Sequence, residues 1–357
     1  MAKSERGEKV FLGLFLVSFP LALLAHFLHW PDTIAFAICC AAILPLAHYV
    51  GEATEVLAHK LGSSAGSLLN ATFGNAAELI LAFAALRAGK IQVVKASITG
   101  SILGNLLLIL GLSMLVGGYG RAKQSFNSTA ALAGVTTMFL AIVAMGLPDL
   151  FHLALGAAAE PKMVGLSAGI AVVMLVVYGL SLLFTMKTHA HLYTDEAEIV
   201  EDLSWNTKKA SAILLAATAG TAVIAEFLIH AVEGASVRWG LSETFVGLIV
   251  LAVVGNAAEH ASAIVMAKKD KMNLAFSIAI ESSKQIALFV APVLVLASLV
   301  VGPAPMTLEF SHLEVVALAI GVGAATLAAL DGQSNWLEGV MLLAVYLILA
   351  VMFFFVP

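Results

Sequence analysis

Gly74-Asn75-Ala76-Ala77-Glu78 and Gly255-Asn256-Ala257-Ala258-Glu259 are the same five residues, repeated at an offset of 181 in a chain of 357. Both copies lie inside apolar runs. A carboxylate in the middle of a membrane segment costs about 2.5–3.5 kcal/mol on insertion scales, so it marks a functional position by default. Two such carboxylates, placed half a chain apart by duplication, predict one site built jointly by two halves.

The surrounding composition supports a membrane setting. The chain is 61% hydrophobic and 11% charged, with a mean hydropathy of +1.00. A water-soluble domain has no use for that much apolar surface. Lipid-exposed backbone must satisfy its hydrogen bonds internally, so long apolar runs read as helices, and the fold class is an all-α polytopic membrane protein. A net charge of −5 leaves no electrostatic footprint for a nucleic acid. Cys39 and Cys40 are adjacent, which makes a mutual bridge a poor expectation and says nothing of redox compartment. The apolar run from Val10 to Phe27 is long for a signal peptide and no small-x-small cleavage site follows it, so it reads as a retained helix.

About eleven spans of near 20 residues can be laid out, at 10–30, 33–59, 64–87, 91–117, 127–147, 163–186, 209–232, 241–267, 273–301, 312–331 and 335–356. With the N-terminus in the cytoplasm, cytoplasmic span ends hold Lys3, Arg6, Lys9, Lys60, Arg121, Lys123, Lys187, Lys208, Lys209, Lys268, Lys269 and Lys271. The opposite ends hold Arg87, Lys90, Lys95, Lys162 and Arg238, while Lys284 lies inside a span. That bias follows the positive-inside rule. The expectation is a multi-pass protein, of the plasma (inner) membrane if prokaryotic, embedded in the lipid bilayer and compatible with a homo-oligomer.

Four spans separate the two Gly-Asn-Ala-Ala-Glu segments, so these run in opposite directions across the membrane. That is the inverted-repeat architecture of many secondary transporters. The expected organisation is one extra N-terminal helix (1–32), a first five-helix repeat (33–186), an acidic cytoplasmic linker or helix (187–208) and a second five-helix repeat (209–357). The linker carries Asp195, Glu196, Glu198, Glu201 and Asp202. It is either a solvated connection or an amphipathic helix that gathers cations at the cytoplasmic mouth.

Asn75 and Glu78 share a helix face, as do Asn256 and Glu259. The preceding glycines allow a break that would free backbone carbonyls. Carboxylates, amide oxygens and carbonyls make a hard-oxygen cage of the kind Ca²⁺ takes. Thiolates and clustered imidazoles are absent from the motif. Glu78 and Glu259 are therefore the expected metal ligands and proton carriers. In the next span of each half, Ser97, Ser101 and Asn105 recur every four residues, and so do Ser277, Glu281 and Gln285 at an offset of 180, whereas pairing Ser101 with Ser282 needs an offset of 181, so the register between the two stripes stays open. These stripes border the site or serve as helix–helix glue, and Gly100 and Gly104 suit the second role. Glu52 and Glu55 in the second span, and Glu226, His230 and Glu233 in the seventh, are gate or proton-path candidates, or interfacial groups that snorkel. Laying Ala47–Glu55 on Ala225–Glu233 matches Glu55 to Glu233 and Glu52 to His230. His260 follows Glu259 directly and either steers it or is simply hydrogen-bonded.

Leu69-Asn70-Ala71-Thr72-Phe73 running into Gly74–Glu78, and Val254 running into Gly255–His260, resemble the two signature repeats of the calcium/proton exchangers, within the cation/calcium antiporter superfamily. Ser282-Ser283-Lys284-Gln285 is similar to that family's Ser-Ser-x-Gln segment, and Lys187–Lys209 to its central acidic region. The resemblance runs from about the second span to the C-terminus. It implies exchange of Ca²⁺ for H⁺ with no cofactor. It also implies that Glu78 and Glu259 bind the cation, with Asn75, Asn256, Ser282 and Gln285 nearby. Two residues depart from the family pattern: Glu281 stands where it has Gly, and Ala252 where it has Pro. Glu281 adds a carboxylate near the site, with Lys284 one turn away as its expected partner.

Three alternatives stand beside this reading. A sodium- or potassium-coupled calcium exchanger would use the same scaffold. A passive cation channel would conduct without counter-transport. An intramembrane metalloenzyme is disfavoured, because no His-Glu-x-x-His occurs.

Overall fold

The computed structural model describes residues 2–61, 66, 69, 70, 72–190 and 205–356. Apart from one short ribbon, the described chain is helical. In chain order the elements are α1 (Ala2–Phe27), α2 (Asp32–Leu61), α3 (Ala76–Arg87), α4 (Ile91–Gly118), β1 (Gln124–Ser125), α5 (Ser128–Leu155) and α6 (Glu160–Leu183). They continue with α7 (Thr207–Trp239), α8 (Glu243–Gly255), α9 (Ala257–Lys268), α10 (Met272–Ser298), α11 (His312–Ala329), β2 (Gln333–Ser334) and α12 (Trp336–Phe354). Among the described residues, nine helices are long and apolar enough to cross a membrane, and ten spans result if α8 and α9 form one broken span. The expected third span, 64–87, falls partly outside the described residues, with α3 its described half. The acids Asp195–Asp202 of the expected linker also lie outside the described residues.

The helix ends follow local chemistry. Asn127, Asn206, Ser242, Ser311 and Asn335 cap the N-termini of α5, α7, α8, α11 and α12 with side-chain oxygens. Each cap satisfies backbone N–H groups that a helix start leaves without a partner. Ser311 with Glu314, and Asn335 with Glu338, close reciprocal capping boxes.

The repeat seen in sequence is also a repeat of conformation. The α3–α4 turn and the α9–α10 turn correspond at the same offset of 181. Gly89 has φ +75° in the first, and Asp270 has φ +63° at the matching place in the second. Aspartate is one of the few residues that tolerates this left-handed region, so the second turn keeps its shape without glycine.

Helices α4 and α10 form the centre. Of their apolar windows 83% and 72% are buried, against 17% for α1, which lies at the periphery. Both central helices pass through a π-helical segment, at Gly104–Ile109 and at Ile286–Val290. Helices α2 and α7 share the most extensive interface between helices, and α1 packs on α2. Strands β1 and β2 pair antiparallel, Gln124 opposite Ser334 and Ser125 opposite Gln333, which ties the entry of α5 to the entry of α12.

Gly100 and Gly104, a pair at glue spacing, differ in what they do. A methyl on Gly100 would run into the backbone of Leu248 on α8, whereas one on Gly104 would meet nothing within 4 Å. Of the two, Gly100 alone bears on the α4–α8 approach. Gly100→Ala is expected to destabilise the protein by about 1–3 kcal/mol through overpacking. Gly104→Ala is expected to be neutral or slightly stabilising. Thermal unfolding of the two variants in detergent, followed by size exclusion, checks this difference.

Candidate functional site

The two Gly-Asn-Ala-Ala-Glu segments form breaks, not continuous helix. Helix α8 ends at Gly255, α9 starts at Ala257, and the two are bent by 60° across Asn256. Gly74 and Asn75 form the corresponding turn before α3. Each Asn stands at the start of a half-helix and each Glu in its first turn.

Glycine is required here because the halves interlock. A Cβ on Gly255 would lie 3.3 Å from Cγ of Glu78, so the carboxylate arm of one repeat rests on the glycine of the other. A Cβ on Gly74 would lie 3.5 Å from Oε1 of Gln285 and would collide with the carbonyl of Asn70.

The asparagines and the polar residues of α4 and α10 make one closed network. Asn75 Nδ2 donates to Gln285 Oε1 at 2.5 Å, and Ser282 Oγ donates to Asn75 Oδ1 at 2.9 Å. Asn256 Nδ2 donates to Ser101 Oγ at 2.9 Å, and Asn105 Nδ2 donates to Asn256 Oδ1 at 3.3 Å. Each Asn therefore takes one serine and one amide from the central helix of the opposite repeat. Asn105 Nδ2 also donates to Ser282 Oγ at 2.9 Å, which joins the two halves. Asn256 is anchored further through the carbonyl of Ala252 at 2.8 Å.

This symmetry decides the register of the second stripe. Ser282, not Glu281, is the partner of Ser101 in the network. Four residues separate Ser101 from Asn105, but three separate Ser282 from Gln285. The π-helical segment begins at Gly104, between the first pair, and only at Ile286, after the second. Its wider turn absorbs one residue without rotating the polar group off its face. Glu281 thereby falls opposite Gly100 in the repeat and off the network. Its carboxylate forms an ion pair with the buried ammonium of Lys284. Ser277 lines a small groove with Glu281 between α10 and α5, and Ser97 is buried on α4.

Glu78 is buried and Glu259 half-buried, close enough for their charges to interact. The Ser282 hydroxyl also reaches Glu259. Oε2 of Glu259 and Nε2 of the buried His260 have no hydrogen-bond partner among the described residues. A group that is removed from water without a partner is costly, and a bound cation or proton would relieve it. Among the described residues no cluster of three or more His, Cys, Asp or Glu makes a metal cage. A cation held here would take two carboxylates together with amide, hydroxyl and carbonyl oxygens, a donor set that suits Ca²⁺.

The remaining candidates lie elsewhere. Glu52 is half-buried with His48 Nε2 at 3.5 Å, and Glu55 is exposed. Glu226 pairs with Arg87 at 2.9 Å, and Glu233 with Lys90 at 2.6 Å. His230 borders a groove of about 400 Å³ with His26, His29 and Asp32. One polar system escaped the sequence reading. Lys95, assigned there to a membrane face, is buried and donates to the carbonyl of Glu309 at 2.5 Å. Thr99 donates to Glu314 at 3.1 Å, His152 pairs with Glu309, and His312 with Asp149 at 2.9 Å. Thr99 sits two residues before Ser101 on the opposite face of α4, and that polar face was the available signal.

Residues 32–187 and 209–355 match the sodium/calcium exchanger protein family. The chain belongs to that family. It is 44% identical to a Ca²⁺/H⁺ antiporter of Aphanothece halophytica, over 98% of this chain and 97% of that one. It is 43% identical to the Ca²⁺/H⁺ antiporter ChaA of Bacillus subtilis strain 168, over 97% and 99%. The solved structure of native YfkE superposes with a TM-score of 0.84 at 43% identity, covering 96% of this chain and 99% of that one. The H⁺/Ca²⁺ exchanger CAX, at 16% identity, shares the fold with a TM-score of 0.74 over 98% and 92%. These relatives are named as transporters, and this chain is a multi-pass membrane transporter, not an enzyme.

The contact between Gly255 and Glu78 is tight enough to test. Gly255→Ala is expected to displace the Glu78 carboxylate and weaken divalent-cation binding about tenfold while the protein still folds. Calorimetric titration of the purified variant with Ca²⁺ measures this directly.

Proposed function

We propose that the protein exchanges Ca²⁺ for H⁺ across one membrane by alternating access, with Glu78 and Glu259 binding either the cation or protons. The supporting observation is the closed Asn–Ser–amide network, in which the asparagine three residues before each glutamate takes its partners from the opposite repeat. The names of the full-length relatives, antiporters of these two ions, support the same substrates.

The mechanism follows from charge. Two bare carboxylates in a low-dielectric site are expensive, and their mutual repulsion adds to the cost. Protons neutralise them one at a time, and a divalent cation neutralises both. Either ligand permits the site to cross, and the presence of one removes the need for the other. That mutual exclusion is the exchange. Asn75, Asn256, Ser101, Asn105, Ser282 and Gln285 hold the carboxylates in register and offer oxygen ligands. His260 is the nearest buried base to Glu259 by sequence, placed to steer it or to take its proton. Helices α2 and α7 are the moving pair, and their preference between the two facing states must come from differential interaction. Glu52 and Glu55 stand on α2 and Glu226 and Glu233 on α7, as gate or proton-path groups. We also propose that the N-terminus is cytoplasmic, with 1–32 an accessory element, 33–186 and 209–357 the inverted repeats, and 187–208 a linker that modulates rate or affinity.

A sodium-coupled calcium exchanger is the second reading, favoured by the family description and by the shared fold. NCX_Mj soaked with 10 mM Na⁺ superposes with a TM-score of 0.56 at 17% identity. Uptake of labelled Ca²⁺ into vesicles under an imposed pH gradient, without Na⁺ or K⁺, separates the two. Uptake that collapses with the proton gradient is expected. Glu78→Gln and Glu259→Gln should each reduce it by at least a hundredfold while leaving membrane insertion normal. Near-parental uptake in either variant would remove that carboxylate from the mechanism.

Glu281→Gly is expected to retain exchange, because Gly is the residue that the family pattern places there. Lys284→Ala is expected to do more harm, since it strands a carboxylate off the network. Parallel uptake series with both variants decide the order.

A further inference from the structure

We propose that Arg87 and Lys90 form an ionic latch that shuts the face opposite the N-terminus, so that the resting protein opens toward the N-terminal side. The inference rests on the alternating-access reading above and adds the gate and its direction.

Both basic residues come from the α3–α4 turn, which Gly89 closes in a left-handed conformation. Arg87 Nη1 meets Glu226 Oε1 at 2.9 Å, and Lys90 Nζ meets Glu233 Oε2 at 2.6 Å, both on α7. Lys90 also meets Glu243 Oε1 at 2.8 Å, in the first turn of α8. Two charges on one rigid turn thus hold the moving helix α7 and the motif-bearing helix α8 together. Lys90 is the better-protected member, 24% exposed, whereas Glu233 is 68% exposed. Exposed pairs are individually weak and are screened by salt. A gate needs no more than that, because a small bias on one side shifts a two-state equilibrium severalfold.

The internal duplication supplies a comparison within the same molecule. The equivalent turn on the other face keeps the shape, with Asp270 at the Gly89 position, and keeps the basic residues as Lys268 and Lys271. It does not keep the acids. His48 stands where the repeat has Glu226, Gly62 stands where it has Glu243, and only Glu55 matches Glu233. Asp270 is engaged instead by Gln124 at 2.8 Å and by Arg121 at 3.7 Å, both from the connection between α4 and α5. The chain has therefore built three acid partners into one latch and one acid into its counterpart. An unequal pair of latches biases the transporter toward the face with the weaker one.

The experiment uses the full-length protein in right-side-out and everted vesicles, with proton-driven Ca²⁺ flux measured from each face. Lys90→Gln, which removes two of the three pairs, is expected to lower the apparent KM on the Arg87 face about fivefold, equivalent to about 1 kcal/mol. The KM on the opposite face should rise. High ionic strength should do the same to the parent and much less to the variant. Arg87→Glu and Glu226→Arg should each act like Lys90→Gln, and the double exchange Arg87→Glu with Glu226→Arg should return both values toward the parent. Unchanged KM values on both faces, or a double variant no better than the singles, would overturn the latch.

A second measurement does not depend on transport. Ser236 is buried on α7, three residues beyond Glu233. In a background with Cys39→Ala and Cys40→Ala, Ser236→Cys should react about fivefold faster with an impermeant maleimide when Lys90→Gln is added. Faster labelling in a protein without proton-driven Ca²⁺ flux would uphold the latch and reject the substrates. Labelling that does not change would reject the latch alone.

Discussion

Two carboxylates that cannot remain bare at the centre of a membrane protein set the terms for the rest of the structure. On the proposed mechanism, Glu78 and Glu259 must be kept near each other, out of water, and within reach of ligands that neutralise them. The broken helices place each Glu in the first turn of a half-helix, three residues beyond the Asn at the bend. The central helices α4 and α10 carry short polar side chains at the same depth, and each repeat supplies the hydrogen-bond partners for the other's asparagine. The site therefore exists only when both halves are present and correctly apposed. This is a physical reason for the duplication to persist as a pair.

The same constraint gives two small residues a particular importance. Gly255 makes room for the arm of Glu78, and Gly100 lets the backbone of α8 approach α4. Both contacts fix the distance between the repeats near the carboxylates. Gly104, one turn from Gly100, has open space around it. Apolar packing holds the helices side by side, and the Gly255 contact seats the arm of Glu78 against the opposite repeat. In the proposed latch, the ion pairs at the ends of the helices act on a different quantity, the preference between facing states. They can be weak and exposed because they need only tip a balance.

Much of this was legible in the residues. The repeated pentapeptide pointed to the two acids and to the all-helical class, because a buried carboxylate is rare enough to need a reason. Asn75, Asn256, Ser101, Asn105, Ser282 and Gln285 were legible as faces of helices, and the structure brings all six into one network. The register between α4 and α10 was not legible. A π-helical turn adds a residue in one copy at a point where sequence spacing assumes a regular helix, so spacing alone leaves open whether Glu281 or Ser282 corresponds to Ser101. Lys95 escaped for a related reason: position along a span says nothing about which loop folds back over its end, and the carbonyl of Glu309 is supplied by such a loop. Glu226 and Glu233 were singled out, but pairing them with Arg87 and Lys90 needed the relative placement of α3 and α7.

The central claim is that cation and protons compete for the same two carboxylates. Proton release on cation binding tests it without transport, vesicles or a gradient. Purified protein in weakly buffered detergent is mixed with Ca²⁺, and the protons released per bound cation are counted. The account predicts release of at least one proton per Ca²⁺ across the pH range where the unliganded site is protonated, with less released by Glu78→Gln and by Glu259→Gln. Stoichiometric Ca²⁺ binding with no proton release at any pH would contradict it.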